Sequence, residues 1–290
     1  MNGLKIVVLA KQVPDTRNVG KDAMKADGTV NRAALPAIFN PEDLNALEQA
    51  LRLKDKFENS SVHVLTMGPG RAAEIIREAM YRGADGGYLL SDRAFAGSDT
   101  LATSYAIASA IKNIDFDIIV CGRQAIDGDT AQVGPQVAEK LSLPQVTYVE
   151  EIIDCNKKGI AAKRRLERGV EVVEAPLPCL VTVNGSAAPC RPCNAHRMMK
   201  YKYARSAQEI QNSGEDYLAL LNQRPYLKIV DWNVNDIECD PAELGLSGSP
   251  TKVKQIENVV FKVKETKHLA ADDQSIDLMM KELIANHTIG

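Results

Sequence analysis

Residues 120–141 read Val120-Cys-Gly-Arg-Gln-Ala-Ile-Asp-Gly-Asp-Thr-Ala-Gln-Val-Gly-Pro-Gln-Val-Ala-Glu-Lys-Leu141 and join two patterns of regular structure. The apolar run at residues 116–121 predicts a buried parallel strand. Val133, Val137 and Leu141 recur every four residues, which predicts a helix. A polar loop that contains three glycines connects the two elements. A strand that passes through such a loop into a helix is the repeating unit of an α/β fold.

The same loop is a candidate phosphate site, because a helix that begins after a glycine-containing loop points several unpaired N–H groups at one spot. We expect a pyrophosphate on the amides of residues 127–132, with a hydroxyl from Thr130 and positive charge from Arg123. The alternative is an ordinary strand–helix turn, since the sequence is neither a P-loop nor Gly-x-Gly-x-x-Gly. Asp127 is assigned with Asp129 to ribose hydroxyls or to the frame of the loop.

Strands and helices alternate along most of the chain. Strands are predicted at residues 4–10, 61–67, 87–90, 116–121 and 179–183, and helices at 71–81, at 99–112 with Ser98 as its cap, and after Asn40-Pro41. Pro135 is expected either early in the helix that follows the loop or as its first residue. Two more strands, at 146–153 and 170–173, are expected to pair across a polar connection, and Asp27-Gly28 predicts a turn. This alternation predicts a mostly parallel sheet with helices on both faces, and a ligand crevice along its carboxyl edge.

Composition argues against several classes of function. The chain has 290 residues and a formal net charge of −3, which gives no reason to expect nucleic-acid binding. No apolar run approaches the roughly 20 residues that span a bilayer, and the N-terminus lacks a signal peptide's apolar core. We therefore expect a cytoplasmic protein without membrane insertion. Cys190 and Cys193 have the spacing of half a zinc knuckle, but only His196 is near, so we predict no metal site and no catalytic residue.

The character of the sequence changes after residue 183. A loop without periodicity is followed by a basic segment, by helical character at 209–223 and by a possible strand at 225–230. Residues 244–250 read as a linker, residues 251–267 alternate, and residues 272–286 form an amphipathic helical pattern. This tail has too little apolar mass to fold alone, so its apolar side needs the main domain or another chain.

Residues 122–135 and the following Leu143-Pro-Gln-Val-Thr147 resemble the signature of electron transfer flavoprotein β subunits, without a gap. Supporting segments are Val8-Leu-Ala-Lys-Gln-Val-Pro-Asp15, Asn40-Pro41, Thr66-Met-Gly-Pro69, residues 91–103 and Gly248-Ser-Pro-Thr-Lys-Val253. The resemblance implies a domain similar to the adenine-nucleotide α-hydrolase fold. It also implies an obligate partner, the α subunit, which carries an FAD of its own.

The resemblance leaves the nucleotide of this chain open between FAD and AMP. In respiratory members it is AMP, a structural ligand. In electron-bifurcating members it is FAD, which takes a hydride from NADH and splits the electron pair between a high-potential and a low-potential acceptor. Residues 91–103, the loop at 128–135 and the Gly-Ser-Pro-Thr segment resemble the bifurcating type, so we favour FAD. The chain would then be an electron carrier subunit that oxidises NADH, with ferredoxin or flavodoxin and a flavin dehydrogenase such as an acyl-CoA dehydrogenase as partners.

The loop and the resemblance together predict the cofactor-binding residues. They are Ala10, Asn40, Thr66, Met67, Arg93, Phe95, Asp99, Thr100, Thr103, Gly122, Arg123, Gln124, Ala125, Asp127, Gly128, Asp129, Thr130, Gln132, Val133 and Gly134. The adenosine and phosphates are expected near the loop, and the flavin end near residues 93–103.

The resemblance also implies a division of the chain. Residues 1–187 would form the nucleotide-binding α/β domain, residues 188–243 the partner-docking loop and the segment after it, and residues 244–290 an extended C-terminal arm that wraps the α subunit. The docking loop of the family reads Leu-Asn-x-Pro-Arg-Tyr, which is absent here. The identity of the partner dehydrogenase is therefore open.

Overall fold

The computed structural model describes residues 3–15, 35–156, 158–213, 218–252, 266, 268–286 and 288–289. The chain divides into two compact units, Met1–Lys254 and Gln255–Gly290. The turn predicted at Asp27-Gly28 and most of the alternating stretch 251–267 lie outside the described residues.

The first unit is built on a twisted sheet of nine strands in the order β11-β5-β4-β1-β6-β10-β7-β8-β9. The first seven strands in this spatial order, from β11 through to β7, are parallel to their neighbours. The last two are antiparallel: β8 pairs with β7, and β9 pairs with β8. A separate antiparallel pair is formed by β2 and β3. The strands are β1 Lys5–Leu9, β2 Gln12–Pro14, β3 Ala37–Phe39, β4 Ser61–Met67, β5 Gly86–Leu90, β6 Ile118–Gly122, β7 Gln145–Asn156, β8 Gly159–Leu166, β9 Gly169–Pro176, β10 Cys179–Val183 and β11 Val230–Trp232.

Helices cover both faces of the sheet. The α-helices of this unit are α1 Pro41–Lys56, α2 Ala73–Arg82, α3 Thr100–Ile111, α4 Val133–Lys140, α5 Ala195–Tyr201, α6 Ala207–Ser213 and α7 Leu218–Gln223, and short 3₁₀ turns lie at Gly70–Ala72, Arg93–Phe95, Pro225–Leu227, Val234–Asp236 and Pro241–Glu243. Leu47 of α1 and Ile76 of α2 pack on one face, and Ile107 of α3 and Val137 of α4 pack on the other. The predicted mostly parallel sheet with helices on both faces is confirmed.

The strand order contains one reversal that matters for function. The chain leaves β1 for β4 and β5 on one side and later returns to β6 on the other side of β1. Loops after β1 and β6 therefore diverge, and the crevice between them at the carboxyl ends of the strands is where open α/β sheets bind ligands.

Several local predictions are wrong. The polar connection between the strands at 146–153 and 170–173 is itself β8, which pairs with both neighbours. Its charged side chains pair with acids on the neighbouring strands, as Arg165 does with Glu150 at 2.7 Å. Asp99 rather than Ser98 caps α3, because its carboxylate accepts the N–H groups of Leu101 and Ala102.

Other elements also refine the sequence-based expectations. Pro14 is the last residue of the short strand β2. Pro135 is the third residue of α4, which confirms the alternative that places it early in the helix, and its missing N–H costs nothing there. Residues 225–230 split into a 3₁₀ turn and the start of β11, which adds an edge to the sheet. Residues 244–250, expected to be a linker, are packed within the first unit, where Leu244 and Ser249 are buried.

The second unit contains helix α8, Asp273–Ala285, as the amphipathic pattern predicts. Asp272 caps it by accepting the N–H of Ser275 at 2.7 Å. Its apolar side chains Ile276, Met279 and Met280 are exposed. Among the helices that the structure describes, none combines the length and the apolarity needed to cross a bilayer.

Candidate functional site

A cavity of about 370 Å³ opens at the reversal of strand order, at the carboxyl ends of β1, β4 and β6. Its floor is formed by Leu9 and Cys121, which are neighbours on paired strands. The loop after β6 and the first turn of α4 form one wall, and the turn at residues 95–100 with the cavity side of α3 forms the other. The two walls meet where the Thr100 hydroxyl donates to Gln132 Oε1 at 2.9 Å.

The loop wall presents backbone N–H groups without partners. Among the described residues, no acceptor pairs with the N–H groups of residues 130–134, which enter α4. Asp129 and Ala131 both have left-handed backbone conformations, with φ of 51° and 53°. Such conformations are uncommon for residues with a side chain and concentrate at functional sites. Alternating right- and left-handed residues form concave nests of N–H groups that bind anions.

Two glycines allow the strand and the helix of this motif to approach their neighbours. A Cβ on Gly134 would lie 2.8 Å from the sulphur of Cys121, so only glycine lets α4 pack this closely on the sheet. A Cβ on Gly122 would collide with the carboxylate of Asp43. Gly128 differs from both, because no atom lies within 4 Å of its Cβ position.

Asp43, in the first turn of α1, fastens the ends of two strands together. Its Oδ2 accepts the N–H of Lys11 at 2.9 Å, and its Oδ1 accepts the N–H of Gly122 at 3.0 Å. The residue lines the cavity and is only 6% exposed. Desolvation by burial raises the pKa of Asp43 to about 7, against the opposing effect of its hydrogen bonds. The lining of the cavity thus includes a carboxyl group that burial makes harder to ionise than a free aspartate.

The other charges of the loop wall are paired. Lys11 Nζ binds Asp127 at 2.7 Å, and the side-chain amide of Gln124 donates to Asp129 at 2.9 Å. Arg123 binds Glu42 at 3.0 Å, which raises the pKa of the guanidinium, and lies 5.7 Å from the ring centre of Tyr148. The Nε atom of Arg123 is buried and has no acceptor among the described residues. Lys11 thus compensates the charge of Asp127, whereas the neutral amide of Gln124 orients Asp129 without cancelling its charge.

A nucleotide fits these observations. The unpaired N–H groups offer donors to a phosphate, and Leu65, Phe95 and Ile107 offer an apolar surface to a ring. A metal ion has no comparable set of ligands. Among the described residues, no group of three or more His, Cys, Asp or Glu side chains could hold one. Cys190 and Cys193 are free thiols, and burial raises the pKa of Cys190 to about 11.

Comparison with known proteins identifies the family. The profile described as "Electron transfer flavoprotein domain" matches residues 27–208. The electron transfer flavoprotein subunit beta of Clostridium acetobutylicum is 42% identical over 282 residues, which cover 97% of this chain and 95% of that protein. The chain belongs to the electron transfer flavoprotein β subunit family. The resemblance found in the sequence is confirmed at this level.

Two further relatives of this electron transfer flavoprotein subunit have names that mention a reductase. The caffeyl-CoA reductase–Etf complex subunit CarD of Acetobacterium woodii is 45% identical over 251 residues, covering 86% of each chain. The acryloyl-CoA reductase electron transfer subunit gamma of Anaerotignum propionicum is 41% identical over 291 residues, covering 99% of this chain and 100% of that protein. Flavin association is a property of the family.

The structure brings most of the predicted cofactor-binding residues to the cavity. Those that line it are Ala10, Met67, Phe95, Asp99, Thr100, Thr103, Gly122, Arg123, Gln124, Ala125, Asp127, Gly128, Asp129, Thr130, Gln132, Val133 and Gly134. Their assignment to a nucleotide stays a prediction. They come from four separate segments, which the parallel sheet gathers at one edge.

Three predicted residues do not line the cavity. Thr66 lies between Leu65 and Met67 on β4, and because strand side chains alternate, it faces the opposite side of the sheet. Arg93 is exposed on its 3₁₀ turn, whereas Phe95 points inward. Asn40 is buried behind the loop, where its side chain bonds the backbone of Gln124 and Ile126.

Sequence reasoning missed other lining residues. Lys11 and Asp43 line the cavity but are absent from the predicted cofactor-binding residues. Their signal is positional: Lys11 directly follows a buried strand, and Asp43 occupies the third position after Asn40. Neither position reveals that the two residues meet, because the contact spans 32 residues.

Proposed function

We propose that this chain is the β subunit of an electron-bifurcating electron transfer flavoprotein and that its cavity holds FAD. The observation that carries the proposal is the row of N–H groups at residues 130–134, which have no acceptor among the described residues and face the crevice beside β6. A diphosphate satisfies several such groups at once. Asp127, held by Lys11, stands beside this row as a ribose acceptor or as part of the loop frame.

FAD is favoured because the cavity has a second, apolar end. Leu65, Phe95 and Ile107 give that end the character of a surface for a flat ring, and Thr103 adds a hydroxyl on the same wall. The alternative is a non-bifurcating β subunit with structural AMP. A cavity of about 370 Å³ supports this alternative, since ligand pockets range from about 300 to 1,000 Å³ and this one is near the lower limit.

The proposed partners follow from the family. We infer that an α subunit carries a second FAD, that NADH donates the electrons, and that ferredoxin or flavodoxin is the low-potential acceptor. The names of two relatives mention caffeyl-CoA reductase and acryloyl-CoA reductase. They support a flavin dehydrogenase of the acyl-CoA type as the high-potential partner. We assign its docking to the segment that begins at residue 188. Of the expected arm 244–290, we assign the part from residue 255 onward to the α subunit, because residues 244–251 pack within the first unit.

The residues of this chain would bind and orient rather than react. When bound, a flavin supplies both hydride acceptance and transfer of single electrons. The N–H groups at residues 130–134 would fix its phosphates, and Asp99 would hold the cavity side of α3 in place. No side chain of the cavity needs to act as an acid or a base, so we propose no catalytic residue.

The experiment that tests the proposal is the nucleotide content of the co-purified heterodimer. Two flavins per heterodimer support the FAD-containing bifurcating subunit, and one flavin with one AMP supports the alternative. In a double variant, Asp129→Ala with Thr130→Ala, we expect this chain's nucleotide to be lost while the partner's flavin stays. Asp115→Ala is the control, because Asp115 is exposed at the opposite end of β6. Unchanged occupancy in the double variant would contradict the assignment of the loop.

A further inference from the structure

The segment at residues 244–251 forms a brace on the outside of the cavity wall. Gly245 has φ of 55° and approaches the carbonyl of Ala94 so closely that a Cβ would collide with it. Leu246 lies against Gly97, where a Cβ would be 2.7 Å from its side chain. The segment therefore packs on the 3₁₀ turn Arg93–Phe95 and on the residues that lead into α3, although its composition is that of a linker.

Hydrogen bonds from the brace converge on Asp99. Ser249 Oγ accepts the N–H of Asp99 at 2.8 Å and donates to the carbonyl of Gly245 at 2.6 Å. Thr251 donates twice to Asp99 Oδ2, from its N–H at 3.1 Å and from its hydroxyl at 2.7 Å. Desolvation by burial is the largest single effect on the pKa of Asp99 and raises it, but these donors and the N–H groups of α3 together outweigh it and lower the pKa. The carboxylate is therefore held charged and with both oxygens engaged.

The two oxygens of Asp99 have different tasks. Oδ1 accepts the N–H groups of Leu101 and Ala102 and so caps α3, whereas Oδ2 is used by the brace. A cap alone needs only the first oxygen. The second set of bonds fixes where the capped helix end lies. That helix end carries Thr100, whose hydroxyl bonds Gln132 at the start of the opposite wall.

We propose that Ser249 and Thr251 are positioning residues of the cavity, which act through Asp99 to fix the wall formed by α3 and so slow the release of the bound nucleotide. This inference rests on the proposed function, because it assigns the brace to retention of the nucleotide that the cavity holds. Thr251 also lies just before the second unit, which begins at Gln255. The brace thus joins the cavity wall to the covalent path that leads to the second unit.

The test compares Thr251→Val with Thr251→Ser in the heterodimer with the α subunit. Valine keeps the shape of threonine but cannot donate to Asp99, whereas serine keeps the hydroxyl. The rate of nucleotide release after dilution is followed by chromatography of the released nucleotide, and hydrogen exchange is measured at the N–H groups of Leu101 and Ala102. We expect release from the valine variant to be about tenfold faster or more, because the lost hydrogen bond is to a charged group, and the serine variant to match the wild type.

Several outcomes would overturn the inference. One is a valine variant that releases nucleotide at the wild-type rate, even if its melting temperature falls, because the bond would then be structural only. Equal release from the serine and valine variants would do the same. If Thr251→Val fails to assemble, Ser249→Ala replaces it, with the same expected rate and the same contrary result.

The design separates failure of this inference from failure of the proposed function. A wild-type heterodimer without nucleotide in this chain would refute the proposed function, whatever the variants do. In that case hydrogen exchange at the start of α3 decides whether the brace positions the wall. Faster exchange in the valine variant but not in the serine variant would support positioning, and unchanged exchange would refute it.

Discussion

Replacing Asn40 by alanine should loosen the loop wall of the cavity while leaving the helix that follows it intact. Asn40 is fully buried and precedes α1, but its side chain does not cap that helix. Its amide instead donates to the carbonyl of Gln124 at 2.9 Å, and its oxygen accepts the N–H of Ile126 at 3.1 Å. The helix uses the backbone carbonyl of Asn40, which the substitution retains. The expected loss is therefore largest in the loop, although the side chain's hydrogen bond to Asp43 is lost as well.

The size of the effect follows from the two lost bonds. At roughly 1 kcal/mol for each neutral hydrogen bond, the loop loses about 2 kcal/mol, equivalent to about thirtyfold in a local opening equilibrium. Hydrogen exchange followed by mass spectrometry on the intact heterodimer should show this acceleration in peptides that contain Ile126. Nucleotide release should accelerate in the same variant, because the same loop lines the cavity.

A matched control lies one turn further along α1. The side chain of Asn45 also makes two hydrogen bonds to loop carbonyls, those of Ala187 and Ala188, at 3.0 and 2.9 Å. Asn45→Ala thus removes a similar amount of bonding without touching the lining of the cavity. Equal exchange near Ile126 in the wild type and the Asn40 variant would refute the reasoning. So would nucleotide release that is equally fast in both variants, because stability alone would then explain it.

Three other results are expected. The pKa of Asp43 in the folded state is raised from 3.8 to about 7, so the native state binds the proton more tightly than the unfolded state does. The stability of the wild type relative to Asp43→Asn should therefore fall as pH rises between these values, by at most about 1.4 kcal/mol per pH unit. A stability difference that is independent of pH in denaturant titrations would contradict this. Gly134→Ala should lower the free energy of unfolding by about 1–3 kcal/mol, because the new Cβ would lie 2.8 Å from the sulphur of Cys121. Gly128→Ala is the control, because a Cβ at that position meets open space. Equal melting temperatures of the two variants would argue against tight packing at Gly134. Lys11→Met should weaken nucleotide retention, because it leaves the carboxylate of Asp127 unpaired in the cavity. Adding Asp127→Asn to this variant should restore part of the retention. If retention is not restored, the unpaired charge of Asp127 is not the cause of the loss.

The central part of the fold could be predicted because its signals are local. Strands β4 and β10 have the predicted bounds. Strand β10 is buried at every position and reads as a nearly continuous apolar run, as parallel strands covered on both faces do. Strand β8 gave no such signal. It reads Gly-Ile-Ala-Ala-Lys-Arg-Arg-Leu, and its charged residues became recognisable as a strand only through their pairing with β7 and β9.

The candidate site likewise has one part that local sequence signals predict and another part that depends on contacts between distant residues. The loop after β6 was recognised because strand, glycines and helix follow one another within the sequence. The bond from Asp43 to Gly122 spans 79 residues, and that from Ser249 to Asp99 spans 150, so no sequence pattern joins them. Composition misled at residues 244–250, where glycine, serine and proline serve close packing rather than a linker.

The loops of both cavity walls are held in place by the same type of hydrogen bond, between a side chain at a helix start and a distant backbone segment. At the start of α1 and of α3, a side chain of Asn40, Asp43 or Asp99 uses its polar atoms to fasten a distant backbone segment. Each wall is therefore fixed by side chains from a helix that packs on the sheet. These hydrogen bonds also explain why acidic side chains can surround a proposed phosphate site. Asp43 and Asp99 are occupied as acceptors of N–H groups, Asp127 is paired with Lys11, and Asp129 accepts the side-chain amide of Gln124. The attraction for a phosphate is then left to the unpaired N–H groups at residues 130–134, whose strength does not depend on any titrating side chain.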